Sequence, residues 1–141
     1  MRVVIDTNVL YSSLRSGSGA SFEILSLVRS GTLKPAITAP LVFEYEDALH
    51  RQGGLPHLTR DEIAAFLDWF VSRSTHHSVY FLWRPLLTDP KDDMVLEAAV
   101  ASQADHLVTF NSKDFLDASL VGISAVTPQQ LLALLRKVKN R

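Results

Sequence analysis

Asp6, Glu44, the adjacent pair Asp92 and Asp93, and the stretch Thr109–Asp114 are the positions at which this sequence holds groups able to do chemistry. All of them offer oxygen. The 141 residues include no cysteine, which removes thiol nucleophiles and cysteine-based zinc sites. Nor do the five histidines supply a metal-ligand spacing: His76 and His77 are adjacent and point apart, while His50, His57 and His106 are scattered. Oxygen-only ligands suit hard Mg²⁺ or Mn²⁺ rather than zinc. Two carboxylates about 4 Å apart repel by roughly 4 kcal/mol at an effective dielectric near 20, so several acids gathered at one place demand protonation or a cation. Ions of this kind promote phosphodiester cleavage by activating a water and neutralising charge on the leaving oxygen. That chemistry needs the acids to converge, and only the fold can make them do so.

The elements that would position them alternate along the chain. Arg2–Asp6 reads as a short buried strand, followed by a short helix over Thr7–Leu14 that ends at Gly17-Ser18-Gly19. Ser21–Ser30 is amphipathic through Phe22, Leu25 and Val28, with Gly31 as its C-terminal cap. Pro35–Thr38 is a second strand. Leu41–Arg51 is the next helix, closed by Gly53-Gly54. Thr59-Arg60-Asp61-Glu62 is a capping box opening a helix through Ile63, Phe66, Leu67, Phe70 and Val71. A third strand is expected at Val79–Leu82, a helix at Lys91–Ser102, a strand at His106–Thr109 and a last one near Gly122–Val126. Thr127-Pro128-Gln129-Gln130 is a second capping box, with proline at the first helical position of the final helix. Alternating strands and helices imply a parallel sheet covered on both faces, so the expected architecture is one three-layer α/β/α domain over residues 1–141. Open sheets of this class bind ligands beyond the carboxyl ends of their strands. Asp6 and Thr109 each fall at such an end, Asp92 and Asp93 open a helix, and Glu44 lies about one turn into another.

Each acid also has a plainer role. Asp6 fits the cap of the helix beginning at Thr7, and Asp89 and Asp92 fit turn and cap positions. Glu46 and Asp47 read as a solvated helix face, and Asp114 and Asp117 as loop acids. Glu44 differs, because its neighbours Leu41, Val42 and Phe43 are apolar. Net charge is −1, from 14 basic and 15 acidic residues, which neither announces nor excludes a phosphate-backbone partner. Arg136, Lys137, Lys139 and Arg141 form a basic tail. It reads first as a helix end complementing its own dipole and second as a phosphate-binding arm. No apolar run approaches the roughly 18–20 residues of a membrane helix. The acid at position 6 also interrupts the opening before a signal peptide could form. A cytoplasmic protein with no membrane association is therefore expected.

Four blocks together carry a family likeness. Asp6-Thr7-Asn8-Val9-Leu10 follows a strand, and Glu44 sits in Leu41-Val42-Phe43-Glu44-Tyr45. Asp89-Pro90-Lys91-Asp92-Asp93 opens a helix, and Leu107-Val108-Thr109-Phe110-Asn111 precedes Asp114-Phe115. In order and spacing these resemble the PIN-domain family, above all the VapC-like toxins of prokaryotic toxin–antitoxin pairs. The resemblance implies a Mg²⁺- or Mn²⁺-dependent endoribonuclease. Asp6, Glu44, Asp92 or Asp93, and an acid or amide near 111–114 (Asp114 being the charged one) would hold the metal. Asn8, Thr109 and Asn111 match positions that orient water or substrate. It further implies RNA as substrate, a homodimer and a small antitoxin partner. Arg15, Lys91 and Lys113 flank the acids and are candidate phosphate contacts. The sequence departs from the family at Asn111, where many relatives carry aspartate. The third acid is doubled: the distance back from Leu107-Val108-Thr109 favours Asp93, and the Asp-Pro-x-Asp pattern favours Asp92.

Two rivals follow from the same residues. A phosphoacceptor module would suit acids near Thr109 and Lys113, but it leaves Glu44 without a role. A protein with this fold that holds RNA or a partner without cutting would suit the neutral Asn111. Trp69 and Trp83 are candidate base-stacking residues. Trp69, on the helix of Phe66 and Phe70, fits packing or a subunit interface better.

Overall fold

Three consecutive residues with no exposed surface, Val3, Val4 and Ile5, force strand β1 (Arg2–Ile5) into the middle of a sheet. The computed structural model describes residues 1–51, 54–79, 90–113, 115 and 122–139, and at 90–92 the backbone alone. Within it, β1 is flanked by β2 (Lys34–Ile37) and β4 (His106–Val108), β3 (Thr75–His76) lies outside β2, and β5 (Ala125–Val126) outside β4. The order is β3-β2-β1-β4-β5, and every pairing is parallel. Helices flank this sheet in three layers, as the alternating pattern implies.

The local signals act as the sequence indicates. Helix α1 (Thr7–Arg15) starts at Asp6, whose side chain caps it. Helix α2 (Ala20–Ser30) ends on Gly31 with φ +86°, a left-handed cap that glycine adopts without a Cβ clash. Helix α3 (Ala39–Leu49) is capped by Thr38, with proline in its first turn. Helix α4 (Arg60–Ser72) opens on the reciprocal Thr59–Glu62 capping box. Helix α5 spans Pro90–Ser102 and α6 spans Pro128–Lys139. Thr127 and Gln130 exchange the same two hydrogen bonds, at 2.9 and 3.2 Å, ahead of α6. The basic residues Arg136, Lys137 and Lys139 occupy the last turn of α6, where they complement the helix dipole.

One strand differs from expectation. The sheet's edge beside β2 is formed by Thr75–His76, and Val79 is not in a strand, while 80–82 lie outside the described residues. Two residues cannot display an alternating pattern, so β3 is invisible to periodicity and is fixed by pairing with Ala36 and Ile37.

The topology also locates a crevice. From β1 the chain moves to β2 and then to β3 on one side. It then crosses to β4 on the other side of β1 and continues to β5. The connections leaving β1 and β4 thus run in opposite directions, and two adjacent strands whose connections part in this way leave an opening at their carboxyl ends.

Candidate functional site

Asp6 and Thr109 occupy the two lips of that opening, and they are bonded to each other. Backbone pairing brings them together: the Asp6 N–H donates to the Val108 carbonyl at 2.8 Å, and the Thr109 N–H donates to the Val126 carbonyl at 2.9 Å. The Thr109 hydroxyl, fully buried, donates to Asp6 Oδ2 at 2.7 Å. Asp6 Oδ1 accepts the Thr7 N–H at 2.8 Å, and the Asn111 N–H donates to Thr109 Oγ1 at 3.0 Å. Three residues expected to share a site are therefore linked in one chain of hydrogen bonds, from Asn111 through Thr109 to Asp6. The plainer role of Asp6 as a helix cap is real, but it uses only one carboxylate oxygen.

Helix α5 packs against β1, β2, β4 and α3, and so lies beside both Asp6 and the helix of Glu44. Asp93 is buried on it, at 2% exposure. The Asp92 side chain is outside the described residues, so the burial of Asp93 is what speaks on the doubled acid. Glu97, one turn further along the same helical face, is equally buried. Sequence reasoning missed it because an acid in Leu96-Glu97-Ala98-Ala99 passes for the solvated side of a helix. The usable signal was that Val95 to Ala99 contains no other polar residue. Glu44 on α3 is half-buried. Its neighbour Tyr45 is fully buried, with its hydroxyl donating to the Ile5 carbonyl. Burial, and secondarily the charge of Asp6, push the Tyr45 phenol well above its ordinary pKa.

Arg15 is at the far end of α1 from Asp6, about 13 Å away by helical rise, and does not flank the acids. Lys113 and Asn111 are exposed at the start of the segment after β4. Asp89, Asp114, Asp117 and Trp83, with the Lys91 side chain, lie outside the described residues. Among the described residues no three histidine, aspartate or glutamate side chains form a metal-holding group. The oxygen inventory nonetheless suits a hard cation. Beside the Asp6 carboxylate, the first turn of α1 carries Asn8 Oδ1 and Thr7 Oγ1, both buried and without a hydrogen-bond partner among the described residues. A buried acceptor left unpaired costs about 1–3 kcal/mol, a penalty that a bound cation or its water shell would relieve.

These blocks decide the family. A sequence profile of the PIN domain matches residues 2–113. The chain belongs to the PIN-domain family. No curated protein sequence matches it significantly. Its fold is shared with a chain in the crystal structure of VapBC2 from Rickettsia felis bound to a DNA fragment from their promoter. The TM-score is 0.60 at 15% identity, over 90% of this chain and 98% of that one. The matched span of the PIN domain includes Asp6, Asn8, Glu44, Asp92, Asp93, Thr109 and Asn111.

The domain has a second concave region. A groove of about 780 Å³ runs between α1, α2 and α4, lined by Leu14, Phe22, Leu25, Phe66 and Trp69, with Arg15 and Arg29 at its edge. The Arg29 guanidinium sits 6.0 Å from the centre of the Trp69 ring. Trp69 is therefore a groove wall, in keeping with packing or interface use. No helix among the described residues is long and apolar enough to cross a membrane.

Proposed function

We propose that this PIN domain is a metal-dependent endoribonuclease and the toxin of a toxin–antitoxin pair. The supporting observation is the Asp6–Thr109 corner, a buried carboxylate held at the switch between β1 and β4 by a fully buried hydroxyl. Asp6, Glu44 and Asp93, with Asp92 and Asp114 as further acids, would hold Mg²⁺ or Mn²⁺. Such an ion supplies an activated water and neutralises charge on the leaving oxygen. Thr109 fixes the Asp6 carboxylate by its hydroxyl and is itself fixed by the Asn111 N–H. Asn8 presents its orphaned oxygen in the same turn of α1, where it can accept from a bound water or a ribose hydroxyl. The exposed Lys113 would be a phosphate contact.

The groove beside α1 supports the partner. Its lining is mostly apolar; among the described residues its guanidinium groups are those of Arg15 and Arg29, and its acid, Glu62, is tied to Thr59 in the capping box. It suits an amphipathic segment with an apolar face and a carboxylate, such as a small antitoxin would offer.

Cleavage of single-stranded and structured RNAs with Mn²⁺ or Mg²⁺ tests the reading, comparing wild type with Asp6→Asn, Asp92→Asn and Asp93→Asn. Loss of activity in Asp6→Asn and Asp93→Asn, with Asp92→Asn nearer wild type, is expected. Activity indifferent to Asp6→Asn sinks the reading. RNA retention without cleavage, unchanged by metal, assigns the domain a binding role instead.

A further inference from the structure

Tyr45 lies next to Glu44 in sequence and reaches the residue before Asp6 in space. Its ring is fully buried and meets Phe70 edge-on, with centroids 5.8 Å apart and planes at 86°. Its hydroxyl donates to the carbonyl of Ile5. That carbonyl sits at the end of β1, where support from β2 is running out. The register between the two strands is Arg2 with Lys34 and Val3 with Pro35, and after Ile37 the chain turns at Thr38 into α3. On its other side β1 is still held, with Ile5 opposite Val108. The tip of β1 is thus pinned to β4 by backbone and to α3 by one phenol.

We infer that Tyr45 is a positioning residue: its hydroxyl bolts the Glu44-bearing turn of α3 to the Asp6-bearing end of β1 and sets the spacing of the two acids. A purely apolar contact would hold the ring anywhere within its pocket, whereas a hydrogen bond to a main-chain carbonyl fixes direction as well as distance. The carbonyl is one peptide unit from the Asp6 Cα, so a shift of the bolt passes directly to the carboxylate. Supporting partners behind a metal ligand commonly change affinity or activity by about 10- to 100-fold when removed.

This inference rests on the nuclease reading, and its test separates the two. Tyr45→Phe keeps the ring against Phe70 and removes only the hydroxyl. Phe70→Leu loosens the ring's seat and leaves the hydroxyl, which makes it the control for lost stability. Mn²⁺ titration followed by electron paramagnetic resonance is expected to show affinity about 10-fold weaker in Tyr45→Phe and near wild type in Phe70→Leu. RNA cleavage in Tyr45→Phe should fall through kcat, with KM within about twofold, because the acids are displaced and the substrate surface is not. In the metal-free protein, amide exchange at Asp6 should accelerate in Tyr45→Phe beyond the change at Leu107. Equal Mn²⁺ affinity in wild type and Tyr45→Phe overturns the inference, and so does an equal loss in both variants. If the wild type neither binds Mn²⁺ nor cleaves RNA, the nuclease reading fails. The exchange measurement then still decides whether Tyr45 holds Asp6, and unchanged protection at Asp6 refutes it.

Discussion

The crevice at Asp6 and the groove at Trp69 lie at opposite ends of one nine-residue helix, α1, and are built on opposite principles. In the crevice, backbone pairing of β1 with β4 places polar atoms first, and burial then raises the value of every hydrogen bond they make. In the groove, side chains of three helices leave an apolar surface that no described element covers, with two arginines at its edge. A buried carboxylate among other oxygen groups suits a hard cation. A half-buried aromatic lining suits a protein segment. The contrast predicts that the two regions can be broken independently.

The largest effect is expected at the crevice. Asp6→Asn should lower RNA cleavage by more than about 100-fold, beyond what loss of an indirect support costs. Binding of the proposed antitoxin partner should stay near wild type. The mirror experiment is Trp69→Ala, which should weaken that partner by about 2 kcal/mol while cleavage stays intact. Calorimetric titration and a gel assay on the same two proteins read both. If either substitution abolishes both activities, the regions are one site and the contrast collapses.

A smaller and sharper test is Thr109→Val, which keeps the shape of a fully buried side chain. It strips Asp6 Oδ2 of a donor and the Asn111 N–H of its acceptor. A hydrogen bond to a charged group contributes about 1.5–3 kcal/mol, so melting should shift by several degrees and cleavage should fall roughly 10- to 100-fold. Wild-type cleavage in this variant would show that the carboxylate needs no orientation from β4.

What could be read from the sequence follows the same division. The places of Asp6 and Thr109 were legible because each directly follows an apolar strand, and in a parallel sheet that position has a fixed meaning. Gly31 and the two capping boxes were legible because capping chemistry is local. Glu97 was not, since its burial depends on α5 lying against three strands, a tertiary fact with no signature at one residue. Tyr45 was hidden for the same reason, its hydroxyl acting across 40 positions. Arg15 looked close to the acids because it is close along the chain. A helix carries nine residues about 13 Å, enough to move it from the crevice to the groove. The groove itself was glimpsed only as an apolar run through Phe66 and Trp69. Its other walls come from α1 and α2, and no local pattern announces that three helices will leave a gap.

The smallest expected effect lies in the groove's own frame. Thr59 and Glu62 begin α4, the helix that supplies Phe66 and Trp69, by exchanging hydrogen bonds of 3.0 and 3.1 Å. The Thr59 backbone N–H, and after it the Thr59 hydroxyl, hold the Glu62 carboxyl below its ordinary 4.5. A folded-state pKa below the unfolded one means that the unfolded chain binds the proton more readily. The contribution to stability is therefore present above pH 4.5 and is lost as pH falls through the lower folded value. Thr59→Ala removes the hydroxyl half of the box and should lower Tm at neutral pH by about 2–4 °C. On acidification the gap between variant and wild type should narrow, because the Glu62 carboxylate is held by both the Thr59 N–H and hydroxyl in wild type but by the N–H alone in the variant, so wild type loses more. Cleavage should not change at any pH, since the first turn of α4 has no part in the crevice. A cleavage defect in Thr59→Ala would mean that the groove wall and the acids are mechanically coupled through α1, and the independence of the two regions would have to be abandoned.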